Sequence, residues 1–588
     1  MRISLRSTIA VVVCAASTAA FAVHANAVRF DRSAGPAQQQ QDLQMETPLP
    51  AADIVLVNGR VLTMEPATPE AQAIAIRDDV IYVVGSNAEV RKRVGPSTQT
   101  IDLHGQLAIP GFIESHGHFT GVGEMKQELD LTKAKSWTEI VAMVDEAVKK
   151  AKPGEWIHGR GWHQEKWSSK PDPDVEGFPT HASLDAVSPN NPVVLTHASG
   201  HASFVNGQAL QASGIDRTTK DPTGGEILKD ASGEPTGLLR ETAEGLIREP
   251  KLTGAEAEAQ LRKTLELADQ EALSKGITTF EDAGSPLATI DVMKKMVDEG
   301  KLGVRLWVMI RQPNAIIGPK LAQYRMEDYG EGHLTVRAIK KQIDGALGSR
   351  GAWMLEPYTD KPDSTGLNTT SIADIEETAE LAIKNDFQLC VHAIGDRANR
   401  ETLDLYERVF IANPSKKNLR WRIEHAQHLS PQDIPRFAAL GVIASMQGIH
   451  CTSDAPYVVA RLGEKRAREG AYVWQKLIKT GAIIANGTDA PVEDVDPIAN
   501  YYATVSRRLK DGSVFYPDQR MDRRQALRSY TRNGAYAAFE EGNRGTLKKG
   551  KYADITVLSK DITKIPESEI PTTKVVYTIV GGKIRYQG

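Results

Sequence analysis

The stretch "IPGFIESHGHFTG", Ile109 to Gly121, places two histidines one residue apart at the end of an apolar run that follows a proline and a glycine. Side chains two positions apart on a strand point to the same face, so His116 and His118 converge if the run is a strand ending at the second histidine. Convergent imidazoles suit a metal ion. An H-x-H pair alone is weak evidence, because two surface histidines can meet by coincidence. The signal strengthens downstream, where His392 in "CVHAIGD", His425 in "RIEHAQ" and Asp489 in "ANGTDAP" each close an apolar run and precede turn residues. Five candidate ligands share one kind of position. Imidazole nitrogen with carboxylate oxygen fits zinc best among common metals, with iron, manganese or cobalt also compatible. A closed structural zinc site would use thiolates and imidazoles, and the two remote cysteines, Cys390 and Cys451, cannot complete one. The residue types favour an open, hydrolytic site.

Such ligands need a scaffold that gathers strand ends from distant parts of the chain. The runs "GITTFEDAG", "VRLWVMI", "VRAIKKQIDG", "FQLCVHAIGD", "LRWRIEHAQH", "VIASMQ" and "AIIANGTDAP" alternate with helical stretches. That alternation implies a parallel sheet, and a TIM-like (β/α)8 barrel is its most economical closed form. In a barrel all five candidates lie on the C-terminal rim, where catalytic side chains gather. The predicted barrel takes residues 110–125 plus 270–539. The long gap between His118 and the next strand implies an inserted α+β subdomain over 126–269. It carries "WIHGRGWHQEKW" and "VVLTHASGHASFVN", four of the 14 histidines, and is expected to overhang the site. Hairpin grammar near the start ("ADIVLVNGRVLTM") recurs near the end ("KVVYTIVGGKIRYQG"), so residues 51–109 plus 540–588 are expected to build one composite β-sandwich.

With 588 residues, 41% hydrophobic and 25% charged, the chain has the composition of an ordinary globular protein with more than one structural unit. Arg2 and Arg6 precede the apolar Ile9–Val23 and a small-x-small site at Ala25–Ala27, which reads as a signal peptide over 1–27 cleaved near Ala27. A polar, glutamine-rich leader follows to residue 50. The expected location is periplasmic or secreted, with no membrane span in the mature chain. Removing the two arginines takes Lys+Arg from 71 to 69 against 75 Asp+Glu, a net charge of −6, which argues against a nucleic-acid partner. Cys390 and Cys451 allow at most one disulfide.

The sequence is similar to the amidohydrolase superfamily, specifically its YtcJ-like branch, which includes N-substituted formamide deformylase. The resemblance runs from about Ala51 to the C-terminus. Its most specific pieces are "PGFIESHGH", "DGALGSRGAW", "VHAIGDRA", "RIEHAQ", "GTDAPV" and the block from Ala526 to Leu558. It implies hydrolysis of a small-molecule amide, one or two divalent ions per chain, and a homodimer by family habit. His116 and His118 would bind one metal, His392 and His425 would bind a second or complete the first, and Asp489 would join metal to proton transfer. His201 or His450 would help to polarise the carbonyl. In many amidohydrolases a carboxylated barrel lysine bridges two metals. Period-2 alternation puts Lys340, Gln342 and Asp344 on one face of "IKKQIDG", which makes Lys340 the candidate. The alternative is an interior Lys340–Asp344 ion pair.

Trp162, His163, Phe204 and Trp353 are candidates for lining a substrate pocket, although core packing explains any one of these aromatic rings equally well. No G-x-x-x-x-G-K-[ST], dinucleotide fingerprint or G-x-S-x-G elbow is present, so nucleotide binding and serine-hydrolase chemistry are disfavoured. Within the resemblance, ring opening of a cyclic amide or hydrolysis of another acyl derivative remains open. The rival from another class is a non-catalytic extracytoplasmic binding or regulatory protein on the same scaffold. A pure scaffold has no physical need to keep five ligands at one rim.

Overall fold

The computed structural model describes residues 50–588. The expected signal peptide and all but the last residue of the leader lie outside the described residues. Eight parallel strands form the central sheet in chain order: β1 (Phe112–Gly117), β2 (Ile277–Ser285), β3 (Arg305–Ile310), β4 (Leu334–Gln342), β5 (Gln388–Ala393), β6 (Arg422–His425), β7 (Ile443–Met446) and β8 (Ile484–Asn486). The ends of the sheet meet just past β8, where Asp489 N donates to His116 O (2.8 Å) and His118 N donates to Ala490 O (2.6 Å). The result is a nearly closed TIM-like barrel, with every predicted barrel strand present.

Strands such as "RLWVMI" and "QLCVHA" are buried at every position, because one face meets the barrel interior and the other meets helices. The helix Ile372–Asn385 shows how that cover is specified. Ser371 caps it by accepting from Asp374 N, and Ile375, Thr378, Ala379 and Ala382 recur at helical spacing to form its buried stripe. Asp386 then stops it in the left-handed region.

The two chain ends interleave in two sheets. One contains Ile54–Val57, Ala73–Arg77, Val80–Gly85 and Gln99–Asp102; the other joins Arg60–Leu62, Glu70–Ala71 and Leu107–Pro110 to Ile555–Leu558, Val575–Val580 and Lys583–Gln587. Ile54, Leu56, Ile74 and Ile76 from the first pack against Val61, Ile555, Val557 and Ile579 from the second. Only Gly111 separates Leu107–Pro110 from β1, so the sandwich runs straight into the barrel. A Cβ at Gly111 would lie 2.0 Å from Thr278 Oγ1, so no larger residue fits that junction without displacing β2. A buried ion pair adds a second tie: Arg305 Nε, at the start of β3, lies 2.9 Å from Asp554.

The insertion between β1 and β2 is a six-stranded mixed sheet with the helices Trp137–Val148, Ala182–Val187 and Gly207–Ser213. Trp162 and Phe204 are fully buried in its core with Trp137, Leu195 and Leu238. Their expected pocket role is therefore corrected: Trp162 spends its indole N–H on Leu195 O (2.7 Å), and both rings hold the insertion together. Trp353 is partly buried against the barrel core beneath the Arg397 guanidinium, and it lines neither cavity at the rim. The allowed disulfide does not form. Cys390 and Cys451 are both buried free thiols. No helix among the described residues is long and apolar enough to cross a membrane.

Candidate metal centre

The rim assembles around Asp489. Three residues past β8 the chain turns with Asp489 in the left-handed region (φ 58°), and His425 at the end of β6 does the same (φ 75°). Such backbone costs about 1–3 kcal/mol per non-glycine residue and persists only where surrounding contacts fix it. Here the hydrogen bond from Asp489 N to His116 O provides one such contact. The turns aim both side chains at β1. Asp489 Oδ1 lies 3.3 Å from His118 Nε2 and 3.5 Å from His116 Nε2, while Oδ2 lies 3.9 Å from both His425 Nδ1 and His450 Nε2.

Two trios, His116–His118–Asp489 and His425–His450–Asp489, hold ligand atoms close enough to share an ion. His450 reaches the second trio from the first turn of the helix Gly448–Gly470, which follows β7. His392 lies outside both trios, its Nε2 3.4 Å from Asp344 Oδ1 and its ring 4.4 Å from that of His425. Buried Asp489 Oδ1, His392 Nε2 and His450 Nε2 have no hydrogen-bond partner among the described residues. Unpaired buried donors and acceptors are costly, and an N/O set of this kind is what a divalent cation satisfies. The residues present fit a metal.

Supporting contacts orient the imidazoles. His116 Nδ1 bonds Glu424, which leaves Nε2 for the rim, and His425 Nδ1 bonds Gln447 Oε1 at 2.8 Å. Glu424 is paired in turn with Arg422 (2.7 Å), whose other partners include Glu281, Ser115 O and Ser445 Oγ. Burial opposes ionisation of Glu424, but Arg422 and His116 outweigh it and hold the carboxyl far below its usual range. Burial likewise works against the Asp489 carboxylate, and the surrounding histidines, His118 foremost, overcome it. Asp489 is ionised. Burial pulls His116 down to about 4, so it stands neutral and ready to ligate.

Lys340 points into the barrel, 2% exposed, with Nζ 3.3 Å from His116 Nε2. The alternative ion pair with Asp344 is not formed. Asp344 instead accepts backbone N–H groups from Trp353, Ile394 and Gly395, and burial pushes its carboxyl up to about 7. Burial draws Lys340 down to about 8, which raises the fraction of neutral amine available for carboxylation. Lys341, on the opposite face, pairs with Asp374 (2.8 Å).

The insertion does reach the rim. His201 Nδ1 bonds Glu241 Oε2 at 2.8 Å, and the His201 ring lies 5.0 Å from that of His392. Burial disfavours its charge, yet the Glu241 carboxylate prevails and raises it above the usual imidazole value. His201 and His163 line one cavity at the rim, His163 beside Tyr457. The carboxylates of "TTFEDAG" take structural posts: Asp282 accepts from Phe119 N and Ser285 Oγ, and Glu281 holds Arg422.

Sequence reasoning missed Glu424, Arg422, Gln447 and Glu241. The first two carried a signal. They alternate inward on "RIEH", and two charges on the interior face of a four-residue buried strand must pair with something. Arg311 was missed as well, although it directly follows β3 and so occupies the same class of position as the ligands.

Residues 99–586 match the family model described as "Amidohydrolase family". The chain is 31% identical to YtcJ of Bacillus subtilis (strain 168), covering 90% of this chain and 98% of that protein. It is 26% identical to N-substituted formamide deformylase of Arthrobacter pascens, covering 91% of this chain and 98% of that enzyme. Among solved structures it resembles an uncharacterized metal-dependent hydrolase from Pyrococcus horikoshii OT3, with TM-score 0.69 and 25% identity over 88% of this chain and 99% of that one. A hydrolytic rim on this barrel and a family match spanning nearly all of the described residues agree: the chain belongs to the amidohydrolase family.

Proposed function

We propose that this hydrolase cleaves a C–N amide or formamide bond in a small molecule. The observation that carries the reading is Asp489, an ionised carboxylate within 4 Å of four histidines at the barrel mouth. His116, His118, His425, His450 and Asp489 would hold one or two divalent ions, zinc being the best match to the donor set, with His392 and Lys340 beside them. A cation there supplies Lewis acidity, which makes hydroxide available near neutral pH and stabilises negative charge on oxygen.

The chain's own groups perform the rest. Asp489 accepts the proton of the attacking water and returns it to the leaving nitrogen. Glu241 fixes His201 through Nδ1 and favours its protonated form, which leaves Nε2–H to donate to the amide oxygen. Gln427 holds His450 through Nδ1 (2.9 Å) with Nε2 toward Asp489. In this reading the mature protein acts in the periplasm or outside the cell, as a homodimer. The test is Asp489→Asn assayed on a panel of formamides, N-acyl amines and cyclic amides. Loss of turnover by about 100-fold or more with the fold retained is expected of a proton-transfer residue, and undiminished turnover would sink the mechanism.

A further inference from the structure

Two cavities meet at Asp489. One, about 40 Å³, is lined by Ala346, Leu347, Ile394 and Tyr457 together with polar side chains that include Lys166, Gln427 and Asp454; it holds only a few waters and has room for no more than a small acyl group. The other is larger, about 230 Å³, and three cationic side chains line it: Arg160, Arg311 and Lys340. His201, His425 and Asp489 border both cavities. A bond held over Asp489 therefore has one end in each.

The two guanidinium groups lack counterions. Among the described residues neither Arg160 nor Arg311 has a carboxylate oxygen within 4.0 Å. Arg160 comes from the insertion, where its Nε is 3.5 Å from Pro491 O, too long for a strong bond. A Cβ at Gly200 (φ 70°) would lie 3.1 Å from Arg160 Nη2, so the glycine makes room for the guanidinium. Arg311 follows β3 and gives one N–H to Gln342 Oε1 at 2.8 Å, which fixes its orientation and leaves Nε and Nη1 free. The acids that act on Arg160, among them Glu128, Glu244 and Glu124, all lie beyond ion-pair distance. Glu241 holds His201, Glu244 accepts from Ser203 Oγ, and Glu124 lines the cavity without pairing. Arg160 is half-buried and Arg311 stands exposed at the mouth of the recess, and desolvation by the surrounding walls lowers both guanidinium groups. Two forked guanidinium groups lining one recess offer the donors that a carboxylate needs.

We infer that the amide cleaved here carries a carboxylate on its amine side, seated between Arg160 and Arg311, so that the substrate class is N-formyl or N-acetyl amino acids. The inference rests on the amidohydrolase reading and narrows it. The scissile C–N bond breaks, water gives its oxygen to the acyl carbon and a proton to the nitrogen, and the products are a short carboxylic acid and a free amino acid.

The experiment pairs each N-formyl and N-acetyl derivative of alanine and phenylalanine, both enantiomers, with the amide that lacks the α-carboxylate. The metal-loaded full chain is used, with Kd from calorimetry and kcat/KM from released formate or acetate. Charge-assisted contacts from two arginines predict a preference of about 100-fold for at least one carboxylated member of the panel. In R160M/R311M with wild-type metal content that ratio should fall to near one; if that variant misfolds, R160K and R311K should each reduce the ratio. Equal Kd and equal kcat/KM within every pair for the wild type overturn the inference while leaving amide hydrolysis standing. Selective binding of carboxylated compounds without turnover of any amide upholds the anion subsite and overturns the hydrolytic reading. Neither binding nor turnover across the panel overturns both.

Discussion

Glu424→Gln changes one atom and should reverse one tautomer. In the native site Glu424 faces Arg422 Nε with one oxygen and His116 Nδ1 with the other. Arg422 has only donors, so the glutamine must turn its carbonyl oxygen toward Arg422 and its NH2 toward His116. An NH2 pointing at Nδ1 makes that nitrogen the acceptor and moves the imidazole proton to Nε2, the nitrogen aimed at the rim. A protonated Nε2 cannot ligate. Loss of such an orienting partner lowers metal affinity by about 10- to 100-fold, or about 1.4–2.8 kcal/mol. Removing one partner of a buried ion pair also destabilises the fold by about 3–5 kcal/mol. The lower end applies, because Arg422 keeps Glu281, Ser115 O and Ser445 Oγ. Affinity is measured by competition with a chromophoric chelator, and stability by urea unfolding of the metal-free protein. A variant that binds metal as tightly as wild type would refute the role of Glu424 in orienting His116.

Lys340→Ala should lower the metal content by elemental mass spectrometry without unfolding the chain if Lys340 bridges two ions; unchanged content would exclude the bridge. Asp554→Asn should destabilise by about 3 kcal/mol or more at pH 7, because the buried charge of Arg305 loses its partner. Burial opposes the Asp554 carboxylate but Arg305 and Arg544 lower it below its ordinary value of 3.8, so the pair's contribution is present above that value. It is lost as pH falls through the lower folded value, and unfolding midpoints of wild type and variant should converge only in that acid range. Trp162→Phe should lower the melting temperature, since a core ring and a hydrogen bond to Leu195 O are altered, while substrate preference stays the same; a changed preference would restore a pocket role.

The barrel was legible because its signal repeats. Eight apolar runs identify the sheet, and the candidate ligands that close four of them identify its functional rim. The composite sandwich was legible from matching hairpin patterns at positions far apart. Partnership was harder to read. Period 2 places Lys340 in the interior, but only the folded backbone shows that Asp344 turns away to gather three N–H groups and leaves the lysine beside His116. Aromatic residues misled for a related reason. Trp162 and Phe204 sit in a glycine-rich, histidine-rich stretch that resembles a binding loop, yet a subdomain of this size needs its own core and draws on its largest side chains to make one. His425 and Asp489 also escape the simple strand rule, because positive φ values turn them toward the centre.

The ladder that joins Leu107–Pro110 to Ile555–Leu558 couples completion of the fold to completion of synthesis. The sheet cannot close until the ribosome has made strands more than four hundred positions downstream, and contacts of that sequence separation form slowly. Meanwhile the first barrel strand, one glycine away, lacks the anchor that fixes its start, and His116 and His118 at its far end wait for Asp489. Nascent chains are therefore metal-incompetent for most of their elongation. The ion that such a site could take up would be set by the metals of the compartment where the last strands pair.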